Sequence, residues 1–187
     1  MISLMDLWLP VMLSAVLVFV VSSIVHMVLP FHRSDYGKLS GETKLMEAMR
    51  KEGVSPGNYM FPCPASVKDM ESPEMKAKYK LGPVGTVNIL PSQPPAIGKS
   101  LLQWFCFSLV ISFFAAYLTS RTLGPGSHYL QVFRIAGAVA FLGYAGADPV
   151  NSIWRGQKWS TTVKNLVDGM LYALVTAGCF GWLWPQT

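Results

Sequence analysis

Four stretches of the chain are apolar over a length that can cross a lipid bilayer. They cover residues 7–29, 101–120, 129–147 and 163–184. At a rise of ~1.5 Å per residue, runs of this length match the ~30 Å hydrocarbon layer of a membrane. The third run contains Arg134, whose long side chain can extend to the lipid headgroups. The sequence therefore predicts an all-α integral membrane protein with four transmembrane helices.

The scarcity of charged residues also favours lipid as the surroundings of much of the protein surface. Charged residues make up 13% of the chain, whereas a soluble domain carries about a quarter. The net charge is +5. The basic residues are interleaved with acidic ones and form no stripe, so the sequence indicates no nucleic-acid partner. The lipid bilayer is the first predicted partner.

The four runs divide the chain into three parts. Residues 1–32 carry the first transmembrane helix, residues 33–99 form a Pro-rich cytoplasmic loop, and residues 100–187 carry the other three helices. Near residues 149–155, an Asp-Pro pair followed by a closing glycine predicts a short helix at the membrane interface.

Two short helices are predicted within the Pro-rich loop. Residues 40–53 place apolar side chains on one helical face and end at a glycine. Ser72, Pro73 and Glu74 form a helix start with a cap, a proline at the first position and an early acid. The loop has too few large apolar residues for a robust core, so we expect it to lie on the membrane surface or against a partner.

Basic residues and tryptophans indicate the orientation of the helices. Of the 15 basic residues, 13 lie between the first and second runs, between the third and fourth, or at the very start of the fourth (Lys164), and only Arg121 and Arg134 lie elsewhere. The positive-inside rule makes those two loops cytoplasmic and directs both termini outward. The six tryptophans lie at the ends of the runs, as an interfacial aromatic belt requires. The sequence predicts a bacterial inner (cytoplasmic) membrane protein.

Small residues recur on one face of each of the last two predicted helices. Such faces let helix backbones approach closely in lipid. They pack on each other within one bundle, or they contact a second membrane protein or a second copy of this chain. The residues are Ala136, Ala140, Gly143 and Ala147 in the third helix and Gly169, Ala173, Ala177 and Gly181 in the fourth.

His26 is the only histidine inside a predicted span. A neutral imidazole is a common axial ligand of haem and related pigments, so His26 is a candidate cofactor ligand. A bis-histidine haem site needs a second histidine inside the membrane, and the spans contain none. A structural or interfacial role is the alternative. The sequence requires no cofactor, and the three cysteines lack the spacing of a zinc site, so no metal site is predicted.

The densest polar set near the membrane comprises Asp148, Asn151, Arg155, Asn165 and Asp168. These residues form a polar site if they converge at the inner leaflet, because acids inside a membrane are candidates for function. Each acid also has a local structural explanation. Asp148 begins the short helix, and Lys164 lies four residues before Asp168 and can pair with it.

No known catalytic motif is present, so the sequence predicts no enzyme and no catalytic residue. A non-catalytic accessory or assembly subunit of a larger membrane complex is the leading functional hypothesis. A small oligomeric transporter or channel that uses Asp168, Asn165 and Arg155 is the second. A haem- or pigment-binding protein that uses His26 is the third. The predicted partner is a membrane protein or a second copy of the chain.

Overall fold

The computed structural model describes residues 2–94 and 96–187, and the protein is mostly helical. Within these residues, three helical segments are long and apolar enough to cross a membrane: Leu4–Val28, Ile97–Thr122 and Tyr129–Arg155. They coincide with the first three predicted spans, so the chain is a helical protein with three candidate transmembrane segments. The fourth predicted span lies in the helix Trp159–Trp182, which is less apolar because Lys164 and Asp168 lie in its first half.

The helices are α1 (Trp8–Ser23), α2 (Glu42–Lys51), α3 (Pro73–Leu81), α4 (Ile97–Thr122), α5 (Tyr129–Ala145), α6 (Pro149–Arg155) and α7 (Trp159–Trp182), and the strands are β1 (Gly57–Phe61) and β2 (Gly85–Ile89). These elements fall into two compact units. The helical unit comprises residues 2–35, 96–152 and 157–187, and the loop unit comprises residues 36–94 and 153–156.

Helix α1 is lengthened at both ends. Before it, Leu4–Leu7 form a 3-10 turn capped by Ser3, whose hydroxyl accepts from the Met5 amide. After it, Ile24–Val28 form a π-helical turn. The turn ends at Leu29, which is extended and precedes Pro30, as expected because a proline disfavours helical geometry in the residue before it.

Helices α5 and α7 pack on each other through the predicted small residues. Ala136, Ala140 and all four small residues of the α7 face are buried. A Cβ atom on Gly169 would lie 2.4 Å from the Cβ of Ala145, so the two backbones are in close contact there. Gly143 instead faces Ile111 of α4, and Ala147 is exposed. Most of these small residues therefore lie in contacts between helices of the helical unit, since small side chains let helix backbones approach closely in lipid.

An apolar cluster closes the end of the helical unit where α1 begins and α7 ends. Phe180 and Trp184 lie at its centre with at most 2% exposure. The Trp184 indole donates to the Gly124 carbonyl at 3.0 Å, which fixes the end of the chain beside the turn after α4. The other buried members are Ile2, Leu7, Ala115, Ala116, Val132 and Ala136.

Hydroxyl groups, in contrast, line the interior nearer the other end. Ser14 donates to Ser112 at 3.0 Å, and the Trp104 indole donates to Ser22 at 2.8 Å. Both bonds join α1 to α4. Hydrogen bonds between helices hold a membrane bundle together where burial of apolar surface gives no driving force.

The loop unit contains α2, α3 and a two-stranded sheet. Strands β1 and β2 are antiparallel, with Gly57 opposite Ile89. Ser72 caps α3 by accepting from the Met75 amide at 3.1 Å. Met75 is the only buried hydrophobic side chain among the described residues of this unit, so the unit has almost no core of its own.

Candidate metal centre

The first component of the site is His26, which lies in the π-helical turn at the end of α1. A π turn adds a residue to the helical repeat and redirects the side chains around it, and such turns are frequent at functional sites. The His26 side chain is 48% exposed. Its Nε2 atom lies 3.3 Å from the hydroxyl of Tyr172, which belongs to α7.

The second component is His32, which the chain brings back beside His26. Leu29 is extended, and Pro30–His32 form a 3-10 turn. The two imidazole rings are consequently in contact, with centroids 4.4 Å apart and planes inclined by 36°. His32 lies just outside the apolar run, so a search for a second histidine inside the spans does not find it.

The third component is Asp168 on α7, a buried acid in the predicted membrane region. Its Oδ2 atom lies 2.8 Å from His32 Nε2 and 3.8 Å from His26 Nε2. The ligand atoms of the three residues lie within 4.8 Å of one another. A buried carboxylate at this depth requires a compensating positive group, because desolvation of an isolated charge costs far more than a hydrogen bond returns.

Asp35 orients His32 from the other side of its ring. His32 Nδ1 lies 2.6 Å from Asp35 Oδ2, and Lys164 Nζ donates to Asp35 Oδ1 at 2.7 Å. Thr161 donates to the same oxygen at 3.4 Å. The hydrogen bond from Lys164 lowers the pKa of the Asp35 carboxyl, and the bond from His32 acts in the same direction. Asp35 is therefore an anion and a hydrogen-bond acceptor.

This partner determines the tautomer of His32. A carboxylate only accepts hydrogen bonds, so the Nδ1 atom must carry the proton that it shares with Asp35. In the neutral imidazole, Nε2 then presents a lone pair, and it does so 2.8 Å from the Asp168 carboxylate without making a hydrogen bond to any described residue. Two acceptors at this distance repel each other unless a proton or a metal ion lies between them.

A divalent metal ion fits the positions of these atoms. Bonds from zinc to histidine nitrogen and carboxylate oxygen are about 2.0–2.2 Å long, so two ligands of one ion lie about 3–4 Å apart. Here one separation, 3.8 Å, lies within this range, the other, 2.8 Å, is slightly shorter, and all three atoms lie within 4.8 Å of one another. In such sites a histidine ligand usually donates its other N–H to a carboxylate that does not bind the ion itself. Asp35 has the position of this carboxylate.

Lys164, which was expected to pair with Asp168, pairs with Asp35 and Ser34 instead. Its ammonium group also lies 5.3 Å from the centre of the Phe31 ring. Lys164 therefore bonds to the chain segment that follows α1, and Asp168 faces the two histidines.

Of the other predicted polar residues, Asp148 and Asn165 belong to a separate polar group. Asn165 donates to Asp148 Oδ1 at 3.0 Å and Gln157 donates to Asp148 Oδ2 at 3.3 Å. Asn151 begins the turn that closes α6, since its carbonyl accepts from the Gln157 amide. Arg155 belongs to the loop unit, where its carbonyl accepts from Thr86. Asp148 and Asn165 thus meet as the polar-site hypothesis expected. Asp168 instead contacts His26 and His32.

Comparison with known proteins gives no further information about this site. No family model matches the chain, and no curated protein and no solved structure is significantly similar to it.

Proposed function

We propose that this protein is an integral membrane protein that binds a divalent transition-metal ion through His26, His32 and Asp168. The observation that carries the proposal is the 2.8 Å approach of His32 Nε2 to Asp168 Oδ2 without a hydrogen bond, beside a second imidazole. Two imidazoles and one carboxylate suit zinc, iron(II), cobalt(II) and manganese(II).

The proposal includes a fourth membrane span and an orientation. Helix α7 has 24 residues and packs closely on α5, which supports a transmembrane position. With four spans both termini face the same side, and the basic count favours the outside of a bacterial inner membrane. The site then lies at the cytoplasmic end of the bundle.

The geometry favours a metal ion over haem or a related pigment. A macrocycle needs free space around the ligating nitrogen of its axial histidine. His26 Nε2 lies 3.3 Å from the Tyr172 hydroxyl and 3.8 Å from Asp168, and its ring contacts that of His32. These close contacts around Nε2 favour a single ion over a porphyrin as its ligand.

The transporter alternative has less support. The apolar cluster around Phe180 and Trp184 fills the opposite end of the helical unit. Asn165, which was expected to line a path with Asp168, is bonded to Asp148. A conducting path from Asp168 would have to pass the apolar cluster.

A role as an accessory or assembly subunit stands as a second candidate function, and a metal site is compatible with it. Large apolar side chains in the loop unit are exposed, among them Tyr36, Val67, Leu81 and Leu90. A unit whose described residues include a single buried hydrophobic side chain, and which has such a surface, is suited to contact a membrane protein, a second copy of the chain or the lipid surface.

Metal analysis of matched histidine variants tests the proposal. The chain contains three histidines, and the third, His128, caps α5 through a bond from the Leu130 amide. The full chain would be purified in mild detergent with a tag that contains no histidine, loaded with Zn²⁺, and analysed by mass spectrometry. We expect about one ion per wild-type chain, since the cluster provides a single set of ligands.

The His32→Ala and Asp168→Ala variants should lose most of this zinc, while His128→Ser should retain it. Circular dichroism would establish that each variant is folded. A wild-type chain without zinc, or equal zinc in all folded variants, would contradict the proposal.

A further inference from the structure

The three candidate ligands enclose the metal position unequally. The side chains of His32 and Asp168 are 14% and 8% exposed, whereas that of His26 is 48% exposed. The metal position is therefore shielded on the side of His32 and Asp168 and is exposed on the side of His26. Met27 and Val28, which follow His26, are exposed as well, so no described residue covers this side.

The described residues also supply too few ligands to complete the coordination of an ion. The group of histidine, cysteine and acidic side chains that can reach one ion has three members in the described part of the chain. The nearby Asp35 is held by Lys164 and His32. Transition-metal ions take four or more ligands, and sites with three protein ligands keep a position for water or substrate.

The charge of the site favours an anion at that position. A divalent ion with two neutral imidazoles and one carboxylate keeps a charge of about +1. Asp35 does not offset this charge because Lys164 neutralises it through the 2.7 Å ion pair. A small water-borne anion, such as hydroxide or a carboxylate, would complete both the coordination and the charge.

Tyr172 borders the same position. Its hydroxyl lies 3.3 Å from His26 Nε2. Once that nitrogen binds an ion, it can no longer share a hydrogen bond with the phenol, so the phenol becomes available as a donor to the next ligand of the ion. Tyr144 provides a comparison, since its ring lies 5.5 Å from that of Tyr172 while its hydroxyl makes no bond to His26.

We infer that the metal ion keeps an exchangeable coordination position on the His26 side, which takes a small anion that the Tyr172 hydroxyl positions. This inference rests on the proposed metal binding. It makes the centre an open site, at which an external ligand binds directly to the ion, and not a closed structural site.

A cobalt(II) titration separates the two claims. The full chain would be loaded with Co²⁺ in nanodiscs of phosphatidylcholine, and its visible d–d spectrum would be recorded during a titration with azide. We expect a saturable spectral change in the wild type. Tyr172→Phe should bind the same amount of Co²⁺ and should bind azide about three- to tenfold more weakly, as the loss of one hydrogen bond implies.

Tyr144→Phe is the control and should behave as the wild type. Bound cobalt with a spectrum that azide does not change would overturn the inference and leave the proposed function intact. Absence of bound cobalt would overturn both. Equal azide affinity in all three proteins would show that the Tyr172 hydroxyl does not position the anion. A spectrum that changes with anionic phosphatidylglycerol in the nanodiscs and not with azide would contradict a water-borne ligand.

Discussion

His32 Nε2 lies 2.8 Å from Asp168 Oδ2, and this contact joins the chain segment after the first span to the middle of α7. Two species can stabilise it. A proton on Nε2 would make an imidazolium–carboxylate pair that fastens the two segments together. A metal ion shared with His26 would do the same and would also bind from solution. The two cases differ in whether the stability of the protein depends on added metal.

Metal should stabilise the protein. A ligand that binds only the folded state adds RT ln(1 + [L]/Kd), which is about 2.7 kcal/mol at 100 times Kd. We expect Zn²⁺ to raise the unfolding temperature of the wild type in detergent and EDTA to reverse the increase. His32→Ala should show no increase, whereas the folded His128→Ser should match the wild type. An unfolding temperature that is independent of metal in all three proteins would favour the simple ion pair.

Asp35 should increase the metal affinity without binding the ion itself. Asp35→Asn removes the carboxylate that accepts from His32 and Lys164. Loss of such a second-layer partner lowers metal affinity by about 10–100-fold. Competition with a chelator of known affinity would measure this change. Asp148→Asn is the matched control, because it alters a carboxylate in the separate polar group. An equal loss in both variants would show that the effect is not specific to the site.

Two glycines of α7 should respond oppositely to the same substitution. A Cβ atom on Gly169 would lie 2.4 Å from Ala145 Cβ, whereas a Cβ atom on Gly178 would meet nothing within 4 Å. We expect Gly169→Ala to lower the unfolding temperature in detergent, because α5 and α7 must separate. Gly178→Ala should leave it unchanged or raise it, since alanine favours a helix. Similar values for both variants would contradict the close approach of α5 and α7.

Cysteine labelling should establish the number of spans and the orientation. Single cysteines at Ser55, Ser127 and Thr187 would be placed in a chain whose three native cysteines are serines. With four spans and external termini, a membrane-impermeant maleimide should label the cysteines at 127 and 187 in intact cells but not the one at 55. Labelling at 55 alone would show that the orientation is the opposite of the one proposed. Labelling at 127 without 187 would show that α7 does not cross the membrane.

Local sequence patterns were sufficient to predict the helical elements. The long apolar runs mark the three candidate spans because lipid-exposed helices must be apolar over their full length. The serine and proline at the start of α3 are a cap that acts within one turn, and α6 begins at Pro149. The pairing of β1 with β2 was not predicted, since the partners are separated in sequence by α3.

His26 and Asp168 were named as candidates from the sequence, but their meeting with His32 could not be predicted because it depends on two turns of the chain. His26 and His32 are brought into contact by the π turn and the turn at Pro30, and neither leaves a periodic pattern in the sequence. The spacing of Lys164 and Asp168 suggested a helical pair, yet Asp35 binds this lysine from a distant part of the chain. A useful signal was available, namely two histidines that flank a proline at the end of a span, followed by an acid.

X-ray absorption at the zinc edge tests the central claim most directly. The zinc-loaded wild type in detergent should show nitrogen and oxygen neighbours at about 2.0–2.2 Å, including the multiple scattering of two imidazoles, and no sulfur at about 2.3 Å. Asp168→Asn and His32→Ala should lose this spectrum or reduce its imidazole scattering. A sulfur shell, which would assign the zinc to the cysteines, or a spectrum without imidazole would contradict a metal centre of His26, His32 and Asp168.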